Sequence, residues 1–262
     1  ISLTGDVLYY DGMDRLARVR NNVVLIHGQM TLYTDSLDYD RLYNVGYFFE
    51  GGRIVTADND MTSDWGEYRP ETKVAVFNYN VHLVSPAPPQ KARTTLLTDT
   101  LYYNTVTSVA NARGPSTIDD GGCHIYTELG YMNSKNNDLT LLRRSEMSND
   151  GKKLIGDSIV WNSVDSIGEA FGNVIYTDVL NKNAMTGNYC YYDDKTGYSL
   201  GTDSACILDF SQGPDTMYMH ADSIKMYTFD IKTDSVYRTM HAFHRVRMYR
   251  KDMQGVCASL CN

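Results

Sequence analysis

Apolar and polar residues alternate along this chain with a period of two, in short runs broken by turn residues. In residues 31–40, TLYTDSLDYD, Leu37 and Tyr39 fall on one face of an extended segment, while Leu32 is out of phase with them by one residue. A bulge or sharp bend at the small residue Thr34 and at Asp35 returns all three to the same side. The stretch predicts a bent β-strand, and it recurs.

With Asp35 as the reference, the equivalent positions are Asp6, Asp64, Asp99, Glu128, Asp157, Asn188 and Asp222, at successive intervals of 29, 29, 35, 29, 29, 31 and 34 residues. A period of this length decides architecture before any single residue does. Three residues before the acid stand Leu32, Met61, Leu96, Ile125, Leu154, Met185 and Met219, all apolar. Immediately before it stand Gly5, Thr34, Ser63, Thr98, Thr127, Gly156, Gly187 and Ala221, all small. Two residues after it come Leu37, Leu101, Ile159 and Ile224; four after it come Tyr39, Tyr68, Tyr103, Met132, Trp161 and Tyr192. Farther on, Val23, Val81 and Val174 mark a second strand in their repeats, with turn residues such as Asp11-Gly12 and Arg69-Pro70 between the halves. Two strands in each of eight repeats predict an all-β fold of about sixteen bent antiparallel strands. They are expected to form two facing sheets with an apolar interior, as one domain over residues 1–262. The Pro-rich stretch 85–92 absorbs the longest interval and reads as a loop.

The acidic column invites a catalytic or cation-binding reading, and the repeat argues against both. Carboxylates one strand spacing apart, about 4.8 Å, repel by roughly 3.5 kcal/mol at an effective dielectric of 20. A ladder of them is tolerable where each accepts backbone N–H groups freed by the bend, which assigns the column to holding the crease. Asn188 and Glu128 at two steps fit that role better than a strict metal ladder.

Composition narrows the function. The 262 residues carry a net charge of −8, which excludes a general nucleic-acid binder. No apolar run is long enough to span a bilayer as a helix. The 21 tyrosines suit half-buried strand positions, where the ring packs and the hydroxyl stays wet. None of the nucleophile-elbow, zinc-protease, phosphate-loop or dinucleotide motifs is present, and neither a catalytic site, a metal site nor a cofactor is expected. The cysteines lack metal-ligand spacing; Cys190 and Cys206 flank a turn and are read as buried thiols or as a cross-hairpin pair. Against the acidic average, residues 238–251 are basic. Alternation puts Arg245, Arg247 and Lys251 on one face, either as a solvated surface or as a site for an anionic head group such as a phosphorylated sugar.

The unit L-x-small-D-x-L-x-Y-[DN] followed by G-N-V-x-apolar resembles the OstA-like family of lipopolysaccharide-transport proteins. Residues 32–40, 154–159 and Gly172-Asn173-Val174 carry the likeness, which extends over nearly the whole chain. The resemblance implies a β-jellyroll with an apolar slot and a place in the periplasm of a Gram-negative envelope, in association with the outer membrane. It also implies partnership with lipopolysaccharide or another acylated glycolipid, with other Lpt-type jellyroll proteins, and with further copies of itself head to tail. The array is expected to continue past Asn262, because GVCASLCN resembles the start of another repeat with Ala258 at the acid position. Within that slot the three apolar columns are the candidate lipid contacts. Competing readings are an envelope scaffold or adhesin that displays its tyrosines outward, and a polysaccharide-degrading β-helix, for which no paired acids stand apart from the repeat.

Overall fold

The computed structural model describes residues 1–85, 94–211, 215–229 and 237–261, and every regular element in them is a β-strand. The expected Pro-rich loop therefore lies, apart from Ser85, outside the described residues. The chain divides into two compact units, residues 1–137 and 138–262.

The first unit holds β1 (Ser2–Thr4), β2 (Val7–Asp11), β3 (Leu16–His27), β4 (Met30–Asp40), β5 (Val45–Val55), β6 (Asp60–Ser63), β7 (Trp65–Arg69), β8 (Val74–Ser85), β9 (Thr94–Asn104), β10 (Val109–Asp120) and β11 (Cys123–Asn133). The second holds β12 (Asp138–Asn149), β13 (Lys152–Asn162), β14 (Ile167–Asp178), β15 (Asn183–Asp193), β16 (Tyr198–Asp209), β17 (Met217–Phe229), β18 (Tyr237–Arg250) and β19 (Met253–Cys261). Within each unit strands pair antiparallel with their neighbours in sequence. The pairs β1/β2 and β6/β7 are single strands interrupted at Asp6 and Asp64, and β19 opens a further repeat. That accounts for the strands beyond the sixteen expected. The fold is a repetitive β-jellyroll.

Every long strand is creased at mid-length, where the acid column predicts. Between β3 and β4, Arg20 pairs with Ser36 and Val23 with Thr34, so that Asn21 and Asn22 together face Asp35. The extra residue thus sits on the partner strand rather than at the acid. Both partner residues take the left-handed conformation, as do Tyr79-Asn80, Arg143-Arg144, Asp203-Ser204 and His244-Arg245. Asparagine tolerates this region better than most residues. The acid side chains hold the crease: Asn22 Nδ2 donates to Asp6 Oδ2 (2.7 Å), Asn80 Nδ2 to Asp64 Oδ2 (2.6 Å) and Asn173 Nδ2 to Asp157 Oδ2 (2.8 Å). In the first unit the small column adds hydroxyls that reach the carbonyl two residues on, as from Thr34 to Ser36, Ser63 to Trp65 and Thr127 to Leu129.

The loops at the far end repeat as well. An Asp or Asn that ends the strand accepts N–H groups two and three residues later: Asp11, Asp40, Asn104 and Asp193 each do so. This is the Asx-turn, in which the side chain stands in for a backbone carbonyl. Four residues after the strand's last residue the chain turns left-handed, at Arg15, Asn44, Lys73, Ser108, Asn137 and Ser166. Creases and turns together fold each hairpin into two arms that face one another across an apolar interior.

Candidate functional site

The apolar columns all point into these interiors, but the two units use them differently. In residues 1–137 the interior is full. Leu32, Leu37, Met61, Leu101 and Tyr103 are 0% exposed, Tyr68 and Leu96 1%, Ile125 6% and Met132 7%. Their cross-strand neighbours Leu25, Ile54, Phe48, Phe77 and Leu83 are equally buried, and the Phe48 and Phe77 rings meet edge to face at 6.2 Å. Tyr39 alone of the candidates here is half-buried; its hydroxyl donates to Asn44 Oδ1.

Two polar bridges close the mouth between the arms of this unit. Asn59, 0% exposed, donates from Nδ2 to the Tyr103 hydroxyl (2.6 Å) and to Ser134 Oγ (2.8 Å). The His27 ring takes Lys73 Nζ at Nε2 (2.7 Å), which leaves Nδ1–H to donate to the Tyr68 hydroxyl (2.9 Å). Partial burial and then the Lys73 ammonium hold the His27 pKa below its ordinary value, so the ring is neutral in the latch. Burial raises the Tyr68 hydroxyl, which keeps its proton.

The interior of residues 138–262 is only partly sealed. Ile159, Met219 and Ile224 are buried, at 2%, 1% and 1% exposed, together with Ala205, Ala221 and Ala242. Leu154, Trp161 and Met185 are half-buried, and Tyr192 is exposed. The small column, hydroxyl-bearing from Thr34 to Thr127 in the first unit, becomes Gly156, Gly187 and Ala221 here. A Cβ on Gly187 would stand 3.0 Å from the Thr202 carbonyl oxygen, and one on Gly156 3.1 Å from that of Ser158. The floor is accordingly apolar and narrow in side-chain volume, beneath walls of Met and aromatic groups. Burial pushes the Cys190 thiol up to about 11, so it is an inert wall group. Register explains why it stays free: Cys190 faces Gly201 while Cys206 faces Thr186, and both are unpaired.

On the outer side of the same creases lie two clefts, and they adjoin at Asp203-Ser204. One, of about 490 Å3, is bordered by Asp203, Ser204, His220, Asp222, Arg245 and Arg247; the other runs past Arg144, Asp157 and Asn188. Arg245 Nη2 pairs with Asp222 Oδ1 at 2.7 Å. His244 and Arg245 form the crease itself, and beyond it Val246 is buried between exposed Arg245 and Arg247. Arg245 and Arg247 border the cleft, while Lys251 lies in the turn before β19. Among the described residues no group of three or more His, Cys, Asp or Glu could hold a metal ion, and no helix is long and apolar enough to cross a membrane.

Creased antiparallel hairpins around an apolar interior, closed in one unit and partly open in the other, define a repetitive β-jellyroll. Two family profiles match the chain in overlapping stretches: OstA-like protein over residues 1–88, and lipopolysaccharide-assembly, LptC-related, over residues 45–150. Residues 1–150 thus carry the likeness to the OstA-like and LptC-related proteins of lipopolysaccharide assembly. No curated protein matches it. Among solved structures, that of LptH, the LptA-homologous periplasmic component of the lipopolysaccharide transport device of Pseudomonas aeruginosa, is 15% identical with a TM-score of 0.38; the match covers 43% of this chain and 80% of that one.

Proposed function

We propose that this chain is a periplasmic carrier of lipopolysaccharide, part of a bridge toward the outer membrane, and that the acyl chains of lipid A lie in the trough of residues 138–262. Its partners on this reading are other Lpt-type jellyroll proteins. The observation that carries the reading is the contrast between homologous columns: Met61 and Leu96 are sealed by their neighbours, whereas Leu154 and Met185 leave apolar surface uncovered.

The energetics suit a carrier. Each methylene left in water costs about 0.8 kcal/mol, so a chain of about a dozen needs cover worth roughly 10 kcal/mol. A trough whose floor and walls repeat at every hairpin offers that cover without one deep trap. Methionine at 185, 219 and 226 adapts to a flexible chain. With net charge −8, attraction to an anionic lipid is apolar and tolerant of salt. Entry of lipid into the first unit requires the Asn59 and His27 bridges to part. No catalytic role is proposed.

Photo-crosslinking residues at positions 101, 103, 161 and 185 in cells test this. Lipopolysaccharide adducts are expected at 161 and 185 and are weak or missing at 101 and 103. Adducts at none of the four, or only at 101 and 103, overturn the assignment.

One observation favours a second reading, a display scaffold. Rings on the face opposite Cys190 and Tyr192 form a continuous contact chain, from Tyr191 to Tyr198 (6.0 Å), Tyr227 (5.2 Å) and His241 (5.3 Å). If these rings serve a protein or glycan and the trough is inert, tryptophan fluorescence stays unaltered at saturating lipopolysaccharide.

A further inference from the structure

On the outer side of the second unit one crease lacks the side-chain tie that other creases carry, and a cleft opens there. In three creases the second residue is an asparagine tied to an acid, as in Asn22–Asp6, Asn80–Asp64 and Asn173–Asp157, and in two an arginine, Arg144 to Asp157 and Arg245 to Asp222. At the β16 crease Ser204 takes the asparagine position and Asn188 the acid position, and no side-chain bond joins them among the described residues. The side chains of Asp203, Ser204, His220 and Arg247, all on the 490 Å3 cleft, have no hydrogen-bond or ion-pair partner among the described residues. Arg245, by contrast, is fixed: its Nε and Nη2 bind Asp222 at 2.9 and 2.7 Å, which leaves its remaining guanidinium nitrogen directed elsewhere.

We infer that this outer cleft is a binding site for a phosphorylated saccharide, distinct from the interior trough. Two guanidinium groups on one rim match the planar, bidentate demand of a phosphomonoester. Asp203 repels a bare anion but accepts hydroxyl protons, and Ser204 and His220 add donor and acceptor capacity beside it. A neutral sugar leaves Arg247 unused, and inorganic phosphate leaves Asp203 opposed. A sugar that carries a phosphate satisfies both halves of the cleft. The site needs no acyl chain, so it stands or falls independently of lipid in the trough.

Titration of the isotopically labelled full chain with glucose 1-phosphate, glucose and inorganic phosphate, followed by amide NMR, tests the inference. Glucose 1-phosphate is expected to shift the amides of residues 203–204 and 244–247 and to bind more tightly than either control. Arg247→Ala should weaken it by about tenfold or more, the loss of one charge-assisted contact. Asp203→Asn should erode the preference over inorganic phosphate. A phosphorylated glycolipid in detergent, added in parallel, separates the two sources of the ligand. Shifts at the same amides identify a lipid-borne head group, and shifts with glucose 1-phosphate alone identify a free sugar phosphate. Equal binding of glucose 1-phosphate and inorganic phosphate, or shifts unaffected by Arg247→Ala, overturn the site. Because the ligands carry no acyl chain, that failure leaves the crosslinks at 161 and 185 unaffected.

Discussion

His27 Nδ1 lies 2.9 Å from the hydroxyl of Tyr68, a residue 41 positions away on the facing arm, and Lys73 Nζ approaches the other ring nitrogen at 2.7 Å. A ring held between an ammonium and a phenol works only when neutral. Its pKa is lowered, so between the folded value and the ordinary 6.5 the unfolded chain binds a proton that the folded chain refuses. The latch's contribution is therefore complete above 6.5 and is lost as pH falls below it. Hydrogen exchange at residues 27 and 68 should accelerate from pH 7.5 to pH 5.5, and His27→Gln should abolish that dependence. Equal pH response in both proteins would show the latch to be inert.

Asn59 makes the companion bridge with no exposure to solvent, 44 residues from Tyr103. Asn59→Ala removes the donor from a buried hydroxyl, at a cost of about 1–3 kcal/mol. Urea denaturation of the two proteins measures it, and a difference near zero would mean that water replaces the amide.

Met185 is half-buried on the trough wall, and its sulfur would meet a Cβ on Gly201 at 2.9 Å. Met185→Asp puts a carboxylate where the proposed acyl chain runs. Lipopolysaccharide adducts from position 161 should fall by about tenfold, the equivalent of roughly 1.4 kcal/mol of lost apolar contact. Undiminished adducts would move the lipid off this wall.

Gly172 holds a φ of +71°, and a Cβ there would lie 2.5 Å from Asp157 Oδ2. Gly172→Ala should cost about 1–2 kcal/mol, from left-handed strain and the displaced carboxylate. Gly114, at +90° but with 3.3 Å of clearance to Asp99, should suffer less from the same change. Equal thermal shifts for the two would assign the loss to backbone strain alone.

Much of the fold was legible because the repeat writes the same physics many times. The column before the acid is small since Thr34, Gly156 and Gly187 sit against backbone at the crease, and Val23, Val81 and Val174 are each 1% exposed opposite it. The side of the bulge was not legible: the left-handed pair falls on residues as unlike as Asn21-Asn22, Tyr79-Asn80 and Arg143-Arg144, only some of which favour that conformation. Nor was the sealing of the first unit. Leu32 and Leu154 occupy the same column, and their difference rests on partners such as His27–Tyr68 and Asn59–Tyr103, brought together by folding from distant repeats. The Asx-turns were visible as the D or N that ends each motif, but their role shows only in the Leu42 and Lys195 N–H groups that donate to Asp40 and Asp193.

Those turns have a wider consequence. A hairpin whose loop is tied off by its own Asp or Asn carries most of its folding instructions with it, so gene duplication can insert one without redesigning the neighbours. Each inserted copy adds two strands, about 9.6 Å of ladder. A protein built this way can match the width of a compartment by copy number, in fixed increments.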